Sequence, residues 1–471
     1  MSTIIGRLFS FSAVAFTALH LTDSWLHLPW MAELLSLFGL VILICFFALA
    51  KWRKAALPLL LTAAAVFVLW RSTGGDGLAD RLFEGFRYMR LLLPVLLVFP
   101  MFSWVLKLEP YVESMMSYAG KRLKNGRRIH FILLAVTQII SSFLMIGSIH
   151  FMYRWMQSLL EKKTGREWEE FKGTIALRGF SLSTIWVITI PSFSYAVSAL
   201  QANAAVMIGQ GLAFALFGVW LTMLMQSLKD RRRGTRLPEE LYAELKTVDT
   251  EAAAKQIVKH VREFLLIFLA LTAVIFAAHG LTGLDLLYLF PILLFPSVAF
   301  IFIAKKKGRQ FAAELKSYLS RELPNKSYEM AVFVSTGLFI YAMNDSGWSK
   351  AVVSSIYSFT DQMHLVNMLF LLPLIIVVLS FLGLSPLNNM VLLGGIIQSI
   401  HLPYPPEIVA FSMTVGSLMG HVLSPITVAA VMLSAANGKS AWFNSVRSNW
   451  AFALVFFAVS QVYMQTLLLL R

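Results

Sequence analysis

The sequence predicts an all-α polytopic membrane protein of about eleven transmembrane segments in two inverted-topology repeats, each with a re-entrant hairpin and a broken helix. Three observations carry this expectation. Hydrophobic residues are 58% of 471 against 14% charged, with mean hydropathy +0.71, a composition foreign to water-soluble folds. The formal charge of +15 is spread over short basic clusters between apolar runs, as at 51–54 and 229–236. That is the distribution of cytoplasmic loops and argues against a nucleic-acid partner.

The third observation is internal similarity. Residues 179–187, GFSLSTIWV, and 420–428, GHVLSPITV, both follow G-x-x-L-S-x-I-x-V, and a shift of 241 positions superimposes them. The same shift lays Gly147 and Ser148 on Asn388 and Asn389. Polar interruptions of apolar helices at one spacing are a repeat signal. At corresponding places in two halves they point to a transporter's binding site.

Residues 1–29 are expected to form an additional N-terminal transmembrane helix. Its apolar run at 8–21 follows Arg7 and precedes no small-x-small cleavage site. The first repeat covers 30–228. Apolar runs at 30–50 and 55–70 flank the basic turn KWRK, which puts that turn and the N-terminus in the cytoplasm. Residues 71–90 carry glycine and both charge signs and read as an outside loop with an interfacial helix, after which 91–106 crosses back. The amphipathic stretch 111–128 reads as a helical arm on the cytoplasmic surface.

The run 129–160 has basic flanks on both sides and a polar interruption, SSFLMIGS, so a hairpin that enters and returns is expected there. Arms of about 13 to 15 residues are too short for a core of about 30 Å at about 1.5 Å per residue. The alternative is one kinked spanning helix. The broken helix of this half is 173–200, with a kink expected at Pro191, and 203–228 closes the repeat.

A polar connector, 229–262, has no apolar stripe wide enough for a core and is expected to be solvated in the cytoplasm. The second repeat covers 263–471. Segments at 263–279 and 286–304 form a pair with an external turn, and a basic stretch at 305–326 follows. Next come a segment at 328–343, an arm at 350–362, a hairpin at 365–400 and a proline-rich turn at 402–407. The broken helix 408–436 and a last segment at 449–470 complete the half and leave the C-terminus outside.

The chemistry follows from the breaks, where backbone groups without helical partners must be satisfied in a cavity rather than in lipid. Helix starts offer partial positive charge to an anion, while carbonyls and hydroxyls can take a cation. The candidate substrate-binding residues are Ser141, Ser142, Gly147 and Ser148 at the first tip and Ser183 and Thr184 at the first break. Ser385, Asn388 and Asn389 at the second tip join them, with His421, Ser424 and Thr427 at the second break. A sodium ion is expected near Ser183, Asn389 and Ser424. A proton taken by His421 is the alternative coupling ion, and operation without a coupling ion is also compatible.

Bland roles compete at each position. Serine and threonine pack helices closely, and both asparagines could cap the returning hairpin helix. His150 could be a packed, hydrogen-bonded histidine, and Arg154 and Arg178 are expected to snorkel to the cytoplasmic face. No carboxylate falls in the core. A lone Cys45 gives neither an intrachain disulfide nor a cysteine-based metal site. With no acid-base pair or metal-ligand cluster at depth, no cofactor and no enzymatic activity are expected.

The paired hairpins with tips at 141–148 and 385–389 and the paired broken helices at 179–184 and 420–427 resemble the ion transporter superfamily, which includes the divalent anion/sodium symporters. The resemblance is architectural and covers roughly 30–470. It implies a homodimeric elevator-type secondary transporter for a small organic or inorganic anion in the cytoplasmic (inner) membrane of a prokaryote. The symporters' carboxylate-binding Ser-Asn-Thr signature is replaced here by Ser-Pro-Leu-Asn-Asn at the second tip and by Ser-Ser and Gly-Ser around FLMI at the first. That apolar tip motivates a second hypothesis, transport or flipping of an amphipathic lipid-linked anion.

Overall fold

The computed structural model describes residues 2–26, 28–122, 125–160, 163, 165–247, 254–361, 367–398, 400 and 402–470, and these contain no strand. Among them nine helices are long and apolar enough to cross a membrane, as an all-α polytopic membrane protein requires. Eight of the nine lie where crossings were expected. The stretch 91–106 forms a shorter apolar helix, Leu92–Lys107, and the stretch at 328–343 forms Ser327–Asp345, which carries Glu329, Asn344 and Asp345 at its ends. The third expected crossing, 173–200, is interrupted and forms two helices, Arg166–Ser183 and Pro191–Ala199.

The ninth helix corrects an expectation. The first arm of the 129–160 run is not 13 to 15 residues long but 19, Gly126–Leu144, because Asn125 caps it and its Oδ1 accepts from the Arg128 N–H at 3.0 Å. An arm of that length can cross by itself. Shortness therefore applies only to the return arm, Gly147–Leu159, of 13 residues. Met145 reverses the chain between them with φ 49°, a left-handed value uncommon outside glycine.

The chain divides into two units. Unit 1 comprises Met1–Val105, Val274–Gln362 and Val391–Leu402. Its central element is Ser327–Asp345, buried from Met330 to Leu338 without a gap and packed against Trp52–Thr73 and Pro29–Leu49. Gly337 permits the close approach of the 86–91 turn, since a Cβ there would sit 2.5 Å from Met89 Cγ. The helix expected within 71–90 is Leu78–Gly85. Its Arg81 pairs with Asp345, and Glu84 accepts from the Tyr341 hydroxyl at 2.7 Å.

Unit 2 comprises Leu106–Ala273, Met363–Met390 and Pro403–Arg471. It holds the helix pair Gly126–Leu144 and Gly147–Leu159 (pair I) and the helices Arg166–Ser183 and Pro191–Ala199 (broken helix I). From the second half it holds Met368–Phe381 with the first turn of Pro386–Ile397 (pair II) and the helices Pro406–Leu423 and Val428–Asn437 (broken helix II). Residues 362–366, which include the expected start of the second hairpin, lie outside the described residues. Pair I packs on broken helix I, Met368–Phe381 packs on broken helix II, and the long halves of the two broken helices pack on each other.

The expected arm at 111–128 is the helix Tyr111–Arg122, with 123 and 124 outside the described residues. It is docked onto Ala254–Thr282. Tyr111 donates to Glu263 at 2.8 Å, and Ser114 and His260 Nδ1 lie 3.0 Å apart. Burial first, and then the hydrogen bond to Glu263, push the Tyr111 phenol well above its ordinary pKa, so it remains a donor.

The connector 229–262 is not simply solvated. Its helix Leu237–Thr247 buries Leu237 and Leu241, which stand one turn apart, and packs on Gly126–Leu144. Two leucines at i and i+4 share one face of that helix, and a glycine lets the partner helix approach closely. A Cβ on Gly126 would meet the Pro238 and Glu239 backbone at 2.4 Å. Residues 248–253 of the connector lie outside the described residues, and Ala254–Thr282 begins inside its expected range.

Candidate substrate site

All twelve candidate residues fall in unit 2. The second break, 424–427, falls inside the expected 420–427, whereas the first, 184–190, begins where the expected 179–184 ends. The motif glycines Gly179 and Gly420 sit inside continuous helix, and the chain leaves helical form only at 184–190 and 424–427. The glycines serve packing: a Cβ on Gly179 would lie 2.6 Å from Thr137 of pair I, and one on Gly420 would lie 2.6 Å from Ser380 Oγ of pair II. Each broken helix is thus seated against its own pair by the same glycine of the repeated motif. Pro191 does not kink a helix but opens one, at the first position, where its missing N–H costs nothing.

At the first tip, Ser141 and Ser148 hydroxyls lie 2.8 Å apart across the turn, and Ser148 also reaches the Met145 carbonyl at 2.6 Å. Ser142 donates to the Ile139 carbonyl, and its own carbonyl accepts from Thr189 of the first break at 3.2 Å. Ser183 and Thr184 donate locally to the carbonyls of Phe180 and Ser181. Gly147 meets only Leu144 Cβ at 3.7 Å, ordinary contact, so an alanine would fit.

The second half is bound more tightly across elements. Ser424 donates to the Ser380 carbonyl at 2.7 Å, and Thr427 caps Val428–Asn437 while donating to the Ser424 carbonyl. The expected capping role falls to Ser385, whose Oγ accepts from the Asn388 N–H at 3.3 Å, and not to either asparagine. Asn389 turns its amide nitrogen toward Ser380 Oγ at 2.9 Å and the Ile376 carbonyl at 3.2 Å. Two acceptors on one side fix the amide's orientation. Its Oδ1 is consequently left buried without a partner, as is that of Asn388. His421 is 6% exposed, with an unpartnered Nδ1 and its ring edge-on to Phe180 at 5.0 Å.

The two halves of the site are joined through that His421–Phe180 contact and the packing of Arg166–Ser183 on Pro406–Leu423. A hydroxyl has one proton. With those of Ser142, Ser183, Thr184, Ser424 and Thr427 given to backbone carbonyls, lone pairs are what these side chains retain. Together with the two amide oxygens they make the site rich in acceptors, which suits a cation or a donor on the solute.

No family model and no curated protein matches this chain.

Several residues of the site escaped the sequence reading. Gln138 accepts from Trp186 Nε1 at 2.8 Å, and with Thr189 it holds the first break against pair I. Ser380 is the hub of the second half, tied to Ile376, Asn389 and Ser424. Ser380 is one polar residue in an apolar run, the same signal that marked Ser424, and Gln138 follows Thr137 in another, but neither has a polar repeat partner to single it out. Arg178 corrects an expectation outright. It does not snorkel but is 2% exposed, donating to Asn449 Oδ1 and the Ser448 carbonyl, both at 2.8 Å, and lying 4.5 Å over the Phe452 ring. Arg154 is exposed and His150 half-buried.

Among the described residues no three His, Cys, Asp or Glu side chains gather as a metal cluster, so a cation here would be held by amide, hydroxyl and carbonyl oxygens. The large cavity of unit 2, about 850 Å³, lies elsewhere. It is lined by Arg127, His130, Trp220, Gln226, Asp230 and Glu239 among others, and by none of the candidate residues.

Proposed function

We propose that this protein is an elevator-type secondary transporter on the plan of the ion transporter superfamily, moving a small anionic solute through a site built from the pairs and broken helices of unit 2. The observation that carries the reading is the correspondence of two sets of helices. Advancing Arg166 by the 241 positions of the sequence repeat gives 407, one residue from Pro406, where broken helix II begins. The starts of Tyr111–Arg122, Gly126–Leu144, Gly147–Leu159, Pro191–Ala199 and Ala204–Arg233 likewise fall within four residues of helix starts in the second half. A duplicated helix-break-helix unit with polar residues at the breaks is what a transport site in a bilayer needs.

The unpaired oxygens of Asn388 and Asn389 support a ligand, since a buried acceptor left unpaired is destabilising and is uncommon without a function. Sodium is the coupling ion these oxygens suit best. An anionic solute would be met by backbone N–H groups at the helix starts Gly147 and Val428. As in the superfamily, the assembly is a homodimer in the lipid bilayer of a prokaryotic cytoplasmic membrane, with the basic ends of the helices inside.

Thermal unfolding of the purified protein across a panel of small anions, with and without sodium, tests the function, because a ligand stabilises by mass action. Stabilisation by an anion that grows with sodium is the expected result. A response confined to amphipathic lipid-linked anions would replace this reading with a flippase.

Asn388→Ala or Asn389→Ala is expected to weaken sodium binding about tenfold to a hundredfold, the equivalent of about 1–3 kcal/mol for an unpaired buried group. Ser385→Ala, which removes the cap, should lower folded yield and leave affinity alone. Unchanged affinity in both asparagine variants would take them out of the site. Topology has its own test, in a background with Cys45 replaced. Cysteines at the exposed positions Arg231 and Lys439 should react from the cytoplasmic side only, and one at Pro403 from the other side only. Labelling of all three from one side would rule out the inverted arrangement.

A further inference from the structure

We infer that the cleft at the basic end of Ala204–Arg233 is a docking site for the phosphate headgroup of an anionic phospholipid. The inference needs the chain to span a membrane and is independent of the transport reading.

Three separated segments bring cations to this cleft: Arg166 from the start of broken helix I, Lys229, Arg232 and Arg233 from the end of Ala204–Arg233, and Arg447 from the turn entering Ser448–Leu469. One carboxylate, Glu170, faces them, and it is 9% exposed. Glu170 is already engaged: Lys229 donates to its Oε1, and both terminal nitrogens of Arg233 donate to its Oε2 at 3.1 Å. Among the described residues Arg232 and Arg447 pair with no carboxylate. Arg166 lies over the Phe443 ring at 5.6 Å, which holds the guanidinium in place without neutralising it.

Five cations against the one carboxylate of the lining leave an excess of positive charge in the cleft. Guanidinium groups match phosphate oxygens two at a time, so arginine is the residue type suited to this anion. The cleft encloses about 340 Å³, within the size range of small-ligand sites and far beyond the roughly 30 Å³ of a water.

The apolar flank decides between a free phosphate and a lipid. Leu228 and Trp450 line the same cleft and are 46% and 59% exposed. Both belong to helices apolar enough to cross a membrane, and tryptophan at the end of such a helix is a mark of the headgroup level. A soluble anion gains nothing from exposed leucine and tryptophan, whereas a phospholipid lays its acyl chains along them with its phosphate among the arginines.

Native mass spectrometry of the full chain released from detergent tests this, with phosphatidylglycerol, phosphatidylcholine or inorganic phosphate added. Retention of phosphatidylglycerol over phosphatidylcholine is expected. The double variant Arg232→Gln/Arg447→Gln should lose about tenfold of that retention, while Arg309→Gln, an exposed basic residue of unit 1, should lose none. The melting temperature without lipid is the control for folding. If the double variant does not fold, a salt titration of the unaltered protein takes its place, and phosphatidylglycerol retention should fall steeply with ionic strength. Equal retention of the two lipids, equal loss in the Arg309 variant, or insensitivity to salt would overturn the proposal. Inorganic phosphate bound as tightly as phosphatidylglycerol would overturn the lipid assignment.

Discussion

Replacing Arg178 with alanine should remove most of the folded protein. The guanidinium joins the long half of broken helix I to the start of Ser448–Leu469, through Asn449 Oδ1 and the Ser448 carbonyl. Its loss leaves Asn449 Oδ1 buried and unpaired, at about 1–3 kcal/mol, takes from the Ser448 carbonyl the bond it makes beyond its own helix, and opens a cavity under Phe452. The combined destabilisation is on the order of 3–5 kcal/mol, comparable with the whole stability of many domains.

Arg178→Lys keeps the charge but has neither the planar fork nor the stacking face, so it should fall between the two. Thermal unfolding in detergent, with folded yield from gel filtration, gives the measurement. An alanine variant that melts with the unaltered protein would mean that the guanidinium does not hold these helices together.

The second large effect is expected at Gly211. A Cβ there would lie 1.9 Å from the Ile185 carbonyl oxygen, and that atom is backbone at the first break and cannot rotate away. Gly211→Ala must therefore push the helix off the break or deform the segment 184–190, a cost of about 1–3 kcal/mol or more. Gly209, two residues earlier, has nothing within 4 Å of its would-be Cβ. Gly209→Ala should be neutral or stabilising by up to about 1 kcal/mol, from helix propensity alone.

Because the same segment carries Trp186 and Thr189, which tie the break to pair I, Gly211→Ala should also weaken any ligand of unit 2. Comparing the two glycine variants for melting temperature and ligand stabilisation separates a local clash from a general effect of alanine. Equal melting temperatures would refute the close approach.

The membrane class was legible because it rests on composition, and eight of the expected crossings declare their helices by length and hydropathy alone. The spans 4–23, 29–49 and 286–304 fall where hydropathy places them, since burial in lipid rewards the same residues whatever they touch. Element ends were less legible. Asn125 starts a helix four residues before the apolar run, and the cap Ser385 fixes the start of Pro386–Ile397. Caps are single side chains meeting single N–H groups, and an apolar average does not register them.

The sequence by itself determined that this is a helical membrane protein whose two halves share a motif at a spacing of 241. It also singled out eleven polar residues and Gly147 at the interruptions. Only the tertiary structure decided what those residues do. It made Gly179 and Gly420 the seats for pair I and pair II, and gave the hydroxyl protons of Ser183 and Ser424 to backbone carbonyls. It left the oxygens of Asn388 and Asn389 bare and buried Arg178 where a snorkelling cation was expected. The physical reason is common to all of these. Hydropathy is a property of one residue, whereas the partner of a polar atom in a low-dielectric interior is set by whichever carbonyl or ring the neighbouring helix brings within about 3 Å.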